Sequence, residues 1–317
     1  MSAATPQRLS PLPVVDEATT VTRLGATLVA MRPTPDGTTE VEDMADSLYL
    51  LPALPGRCTV LANNSVDGLV VAAESATEFK LLVLSPGRQQ FTLPPLHVCT
   101  VPTAPLVGAI SASTVAAVLP APRTLLLRSA VVEARRPTTA GTGSDTLLPS
   151  LDGAVGAIGL VSGAAAVTIG ATAIVYTVSA SLRVQARQVI LLHPPGRPLR
   201  AVQPLDSAGA LWGVTDSEVF VRTAETTVRV QPPAAIGSPL LAIVLILAGA
   251  IVVGPRGVWG IWTADGAARS SCGRKSVWRC EGRHGAAANA LGDGVFVWSK
   301  ENARAELLLT AYGFASK

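Results

Sequence analysis

Residues 250–263 read AIVVGPRGVWGIWT. Five apolar residues end on Gly254, Pro255-Arg256 makes a turn, and a second apolar run rich in β-branched and aromatic residues closes on Trp262-Thr263. Two such runs joined by a tight turn predict a β-hairpin. The same plan recurs at residues 210–223 (ALWGVTDSEVFVRT), turning at Thr215-Asp216-Ser217, and at 288–299 (ANALGDGVFVWS), turning at Asp293. It recurs again at 166–177 (AVTIGATAIVYT), turning at Ala171-Thr172. Residues 68–85 follow it with a longer turn at 74–77, and residues 107–119 follow it around Ala112-Ser113. The first copy runs from Leu24 to Arg32, turns at 33–37 and continues through Glu42.

The small residue ending the first run of each hairpin serves as a marker: Ala73, Ser111, Gly170, Gly213, Gly254 and Gly292, at spacings of 38, 59, 43, 41 and 38. A repeat near 40 residues is the period of propeller blades. The long interval holds TTAGTGSD at 138–145, so residues 137–147 are expected to be a mobile loop insertion. Further alternating strands are expected after the hairpins, at 88–93, 124–129, 182–188, 227–231 and 305–309, and before them, as at 240–247. The expected fold is therefore all-β, a seven-bladed β-propeller of four-stranded antiparallel sheets. One domain is expected over residues 1–317, with an extended N-terminal segment at 1–18. A lone four-stranded sheet cannot bury both faces, whereas a closed ring of sheets can, and inner strands then read as apolar runs such as LVVAA and AVTIG.

Composition agrees. Hydrophobic residues make up 49% of the chain and charged ones 15%, with 28 Gly and 24 Pro as punctuation. Hydropathy alone offers a rival reading, because residues 239–254 are continuously apolar and residues 153–182 carry no charge. The Gly pairs that interrupt both stretches favour strands, and a multi-span membrane protein is the lesser alternative. Residues 1–20 contain no apolar core stretch, so an intracellular protein of the nucleus or cytoplasm is expected. The four scattered cysteines, Cys58, Cys99, Cys272 and Cys280, fit free thiols better than a disulfide framework. A net charge of +3 is far from the basic balance of nucleic-acid binders.

The ends of the third strands resemble those of the WD-repeat propellers, which close this strand with Trp-Asp. The equivalent pairs here are Leu84-Ser85, Leu119-Pro120, Tyr176-Thr177, Arg222-Thr223, Trp262-Thr263 and Trp298-Ser299. Two keep the Trp and none keeps the Asp; the family's Gly-His pair is also absent, with Leu96-His97 and Arg283-His284 as near misses. By rhythm the likeness covers most of the chain. In size the chain is similar to the compact members, among them the mitotic-checkpoint and messenger-RNA-export propellers. That resemblance implies a non-catalytic scaffold that binds a docking segment of a larger protein, and most specifically a divergent checkpoint-type propeller at the kinetochore.

Motifs for chemistry are sparse. There is no Gly-x-Ser-x-Gly elbow to accompany His97, His193 or His284, and no Walker loop around Gly273-Arg274-Lys275-Ser276. Cys272, Cys280 and His284 lack zinc-ligand spacing. No catalytic, cofactor or metal site is expected, and a propeller-based enzyme or lectin working at the channel mouth is the alternative. The candidate site is electrostatic: Arg269, Arg274, Lys275, Arg279 and Arg283 accompany Trp278 against the single acid Glu281. Arginine forks suit carboxylate and phosphate, so this patch is expected to grip an acidic or phosphorylated segment, with Trp262 and Trp298 as packing residues or anchors. Neither nucleic acid nor membrane is an expected partner, and the expected state is a monomer or heterodimer.

Overall fold

The computed structural model describes residues 20–24, 27–43, 50–64, 68–85, 95–111, 113–130, 143–191, 199–206, 208–222, 227–237, 240, 242–246, 249–254, 257–264, 267–272, 284–288, 294–301 and 306–313. Apart from one 3-10 turn at Ala234–Ile236, its regular elements are all strands. They run in order through successive antiparallel meanders. The first sheet is β1 (Thr20–Leu24), β2 (Thr27–Pro33), β3 (Thr39–Asp43) and β4 (Leu50–Leu54); the second is β5 (Cys58–Asn64), β6 (Gly68–Glu74), β7 (Phe79–Leu84) and β8 (Leu96–Val101). The third is β9 (Val107–Ser111), β10 (Thr114–Pro120), β11 (Arg123–Ser129) and β12 (Gly143–Leu147); the fourth is β13 (Val155–Val161), β14 (Ala164–Ile169), β15 (Thr172–Val178) and β16 (Val184–Leu191). The fifth is β17 (Ala201–Pro204), β18 (Leu211–Val214), β19 (Val219–Arg222) and β20 (Thr227–Val230). The sixth is β21 (Ala242–Ile246), β22 (Gly249–Gly254), β23 (Gly257–Ala264) and β24 (Ala267–Cys272), and the seventh has three described strands, β25 (His284–Ala288), β26 (Gly294–Glu301) and β27 (Glu306–Gly313).

The first strand of each sheet lies against the first strand of the next, and β25 lies against β1, so the first strands surround a common centre. Strand alternation then dictates where each side chain goes. On β6, Leu69, Val71 and Ala73 join a core cluster with Val29, Met31 and Val41 of the first sheet, while Val70 and Ala72 join one with Ile110, Val115 and Ala117 of the third. On β10, Ala116 and Val118 point the other way, towards Leu160, Val167 and Ile174 of the fourth sheet. The pattern continues: Ala166, Ala173 and Val175 meet Leu211 and Phe220 of the fifth sheet, and Trp212 and Val214 meet Val252 and Trp259 of the sixth. Every described cluster is thus the seam between two consecutive sheets. Burying one such Val or Leu contributes about 1.5–3 kcal/mol.

Close to the centre the sheets converge and leave no room for side chains. A Cβ on Gly108 of β9 would lie 2.9 Å from Leu61 of β5, and one on Gly159 of β13 would lie 2.2 Å from the carbonyl oxygen of Val202 on β17. Polar bonds tie neighbouring sheets together further out. Thr39 donates its hydroxyl to the Gly56 carbonyl at 2.9 Å and accepts the Cys58 amide at 3.1 Å. Arg123 donates to the carbonyls of Leu151 and Gly153 at 3.0 and 2.9 Å, and Gln203 donates to Leu160 at 2.9 Å.

Several expectations are corrected in detail. Residues 107–119 do contain a hairpin, but it is formed by the first and second strands of its sheet. The third strand is β11, reached through a two-residue turn at Ala121-Pro122. Pro120 ends β10 opposite Arg123, where a missing amide costs little. Residues 143–147, expected inside a mobile loop, form β12 and pair with β11, because Ser144 and Thr146 can turn inward while Asp145 meets Arg128. The strand expected at 88–93 falls on residues 86–94, outside those described, and the fourth strand of that sheet is β8. In the last repeat the strand is His284–Ala288, so Trp298 stands on the second described strand of its sheet, not the third. The described parts of the apolar stretches at 153–182 and 239–254 contribute strands β13 to β15 of the fourth sheet and β21 and β22 of the sixth; no helix among the described residues is long and apolar enough to cross a membrane.

Candidate interaction surface

Since both faces of a middle sheet are covered by its neighbours, what remains accessible is the outermost strands and the turns. The structure distributes the expected site residues unevenly over that surface. Arg269 lies on β24 directly opposite Trp262 of β23, so register brings one cation and one aromatic of the expected set together. Trp298 lies on β26 opposite Gly285 and Leu309, one sheet further on. Arg274, Lys275, Trp278, Arg279 and Arg283 lie outside the described residues. Two other tryptophans are core: Trp212 and Trp259 pack in the seam between the fifth and sixth sheets, and Trp212 keeps its indole N–H without a hydrogen-bond partner among the described residues.

The best-defined surface is the row of outermost strands β12, β16 and β20. It carries the exposed apolar residues Leu147, Val189 and Val228. Its carboxylates are engaged. Arg128 reaches Asp145 at 2.6 Å and also donates to the carbonyls of Leu127 and Ser144. Arg229 reaches Glu218 at 2.7 Å, with its guanidinium 5.9 Å from the centre of the Phe220 ring, and Arg200 reaches Asp216 at 3.2 Å. Asp206 accepts the amides of Ala208 and Ala210. By contrast Arg183 and Arg187, both exposed, face no carboxylate among the described residues.

Sequence reasoning passed over these two arginines because it looked for dense clusters of basic residues. A signal was present: no Asp or Glu occurs between Asp152 and Asp206. The fourth sheet is therefore built from a segment without negative side chains, and Arg183 and Arg187 meet no carboxylate among the described residues.

Titratable chemistry elsewhere is quiet. Burial pushes the thiols of Cys58 and Cys99 up, and for Cys99 the neighbouring Arg128 only partly opposes this, so both remain protonated, poor nucleophiles at neutral pH. Burial also pushes the phenol of Tyr176 up to about 12. Hydrogen bonds from Thr34 and Thr38 hold the exposed Asp36 carboxyl below its usual range, which stabilises the β2–β3 turn. His97 pairs with Thr100 at 3.1 Å on the surface of β8. Among the described residues no three of His, Cys, Asp and Glu converge.

No known family model matches the chain, and no curated protein matches it in sequence. Solved structures do. The WD40 domain of Toxoplasma gondii coronin superposes with a TM-score of 0.60 at 11% identity, over 98% of this chain and 85% of that one. A chain of the mitotic checkpoint complex gives 0.56 at 12% identity, over 98% and 92%. Apo AztD from Citrobacter koseri gives 0.53 at 12% identity, over 94% and 90%. At such identities the likeness is one of fold: the chain has a β-propeller fold similar to that of these structures.

Proposed function

We propose that the chain is a seven-bladed propeller folded as one domain, and that it serves as a non-catalytic scaffold holding a short segment of a larger protein. The observation that carries this reading is the use made of the sheet faces. Each described middle sheet gives both faces to its neighbours, and the first strands approach so closely at Gly108 and Gly159 that side chains are excluded there. The accessible surface is then a rim of turns and outer strands, which suits extended contacts with another protein. Likeness of fold to a propeller within a multi-protein checkpoint assembly supports the same reading and motivates its most specific form, a checkpoint-type propeller at the kinetochore.

On this reading Arg269, Arg274, Lys275, Arg279 and Arg283 grip an acidic or phosphorylated segment, with Trp278, Trp262 and Trp298 as aromatic anchors. The partner is a protein, neither nucleic acid nor membrane; the chain acts as a monomer or in a heterodimer, in nucleus or cytoplasm. Affinity purification of the full chain from cells, with identification of the co-purifying proteins, tests the scaffold. Recovery of a large subunit whose binding maps to a short segment is expected. Charge reversal by Arg274→Glu with Lys275→Glu should weaken that complex about tenfold at low salt and less at high salt. Unchanged affinity in a titration eliminates the patch.

A further inference from the structure

The edge of the fourth sheet combines length with exposure. β16 is eight residues long, the longest outermost strand among the four-stranded sheets. It is last in the order β13-β14-β15-β16, so one side of its backbone has no strand partner among the described residues. Residues 185–189 are all exposed, whereas Ala173, Ile174, Val175 and Tyr176 on the adjacent strand are all buried. The outer strand thus projects beyond the seams that clasp the rest of its sheet.

Native sheets protect such edges by shortness, proline, charge or cover. Four of the other outer strands show these devices: Pro52 lies within β4, β20 has four residues, β12 has five with Asp145, and β8 lies against β11. On β16 the one register shift is at its start, where Val184 pairs with Val178, and the pairing from Ala186 to Leu191 is regular. Val189 is 48% exposed, an apolar residue at an open ladder.

Charge selects the occupant. Arg183 and Arg187 stand on or beside this strand, and the segment from Asp152 to Asp206 supplies no carboxylate to meet them. Among the described residues the acids of the flanking sheets, Asp145, Asp206, Asp216 and Glu218, are held by other groups. Asp152 sits by Gly170, at the turn between β14 and β15, which is the far end of the sheet from Arg183. Two copies of β16 paired edge to edge would bring arginines together with no acid between them, which disfavours self-association.

We propose that the free edge of β16 docks an extended acidic segment of a partner protein as a fifth strand of the fourth sheet. Main-chain hydrogen bonds to β16 supply the register, and Arg183 and Arg187 select alternating carboxylates. This site rests on the scaffold reading above but is separate from the patch around Arg269.

A fluorescein-labelled (Glu-Val)5 peptide, added to the full chain and followed by anisotropy and by hydrogen exchange, tests it. The peptide should bind and slow exchange within residues 184–191. A (Lys-Val)5 control and a (Glu-Val)5 peptide with alternate N-methyl amides should bind at least tenfold more weakly. The variant R183E/R187E changes only exposed side chains; with its melting temperature unchanged, it should lose at least tenfold in affinity for (Glu-Val)5. Four results overturn the proposal: no binding, protection elsewhere, residues 184–191 already protected in the free monomer by the chain itself, or a dimer protected at that strand. If cellular partners still co-purify with R183E/R187E, the scaffold stands and this edge falls. If (Glu-Val)5 protects β16 while no partner co-purifies, the edge stands and the scaffold reading falls.

Discussion

Gly213 shows how single positions are set by a neighbour across the ladder. It pairs in register with Phe220, whose ring fills the space where a side chain would be: a Cβ at Gly213 would come within 2.1 Å of that ring. Phe220 in turn pairs with Arg229, whose guanidinium lies 5.9 Å from the centre of the ring. An aromatic that covers a glycine restores the apolar burial that the glycine lacks. Gly213→Ala should therefore force the Phe220 ring out of a seam in which it is 3% exposed, lowering stability by about 1–3 kcal/mol. A fall in the urea midpoint with unchanged slope is the expected signature. In the sequence Gly213 was legible as a marker, because a small residue recurs at the end of these runs. What made it small was not, since Phe220 is reached only through the pairing of two strands.

At the level of strands and sheets, the ties between neighbours deserve as much weight as the ladders within them. Arg123 begins β11 in the third sheet and donates to two carbonyls in the turn leading to β13 of the fourth. Methionine at this position keeps the apolar stem and removes both bonds. Arg123→Met should cost about 1–2 kcal/mol, less than two fully buried charged bonds because the group is partly solvated. An urea titration monitored by tryptophan fluorescence measures this; no change would show that the seam holds without the tie. Hairpins were the most legible elements, since an apolar run, a turn and another run are purely local. The strand order around Ala121-Pro122 was not, because either of two successive turns could join the middle strands. The site was less legible still. Dense charge at residues 269–283 drew notice, while Arg183 and Arg187 count only because the described acids near them are already held, and that depends on tertiary contacts.

For the molecule as a whole, stability links to pH through a buried phenol. Tyr176 is 1% exposed, its hydroxyl has no hydrogen-bond partner among the described residues, and its pKa is raised to about 12 from 10.0. Below pH 10 the group is protonated both folded and unfolded and adds no slope. Between pH 10 and 12 the unfolded chain releases this proton and the folded chain keeps it, so stability falls as pH rises. Tyr176→Phe should flatten that alkaline decline in the melting temperature; superimposable curves for the two proteins would show that the hydroxyl finds water or a partner. The seams described above also bear on how much the sequence can vary. Each one asks its residues only to be apolar and of moderate size on alternate positions, so Val, Leu, Ile and Ala can replace one another over time while the ring persists. Two sequences can then share only about one residue in eight, as with the 12% identity to a chain of the mitotic checkpoint complex, and still adopt a similar fold. In such a protein the letters that resist replacement are few, and the glycines crowded around the centre are where a family alignment should find them.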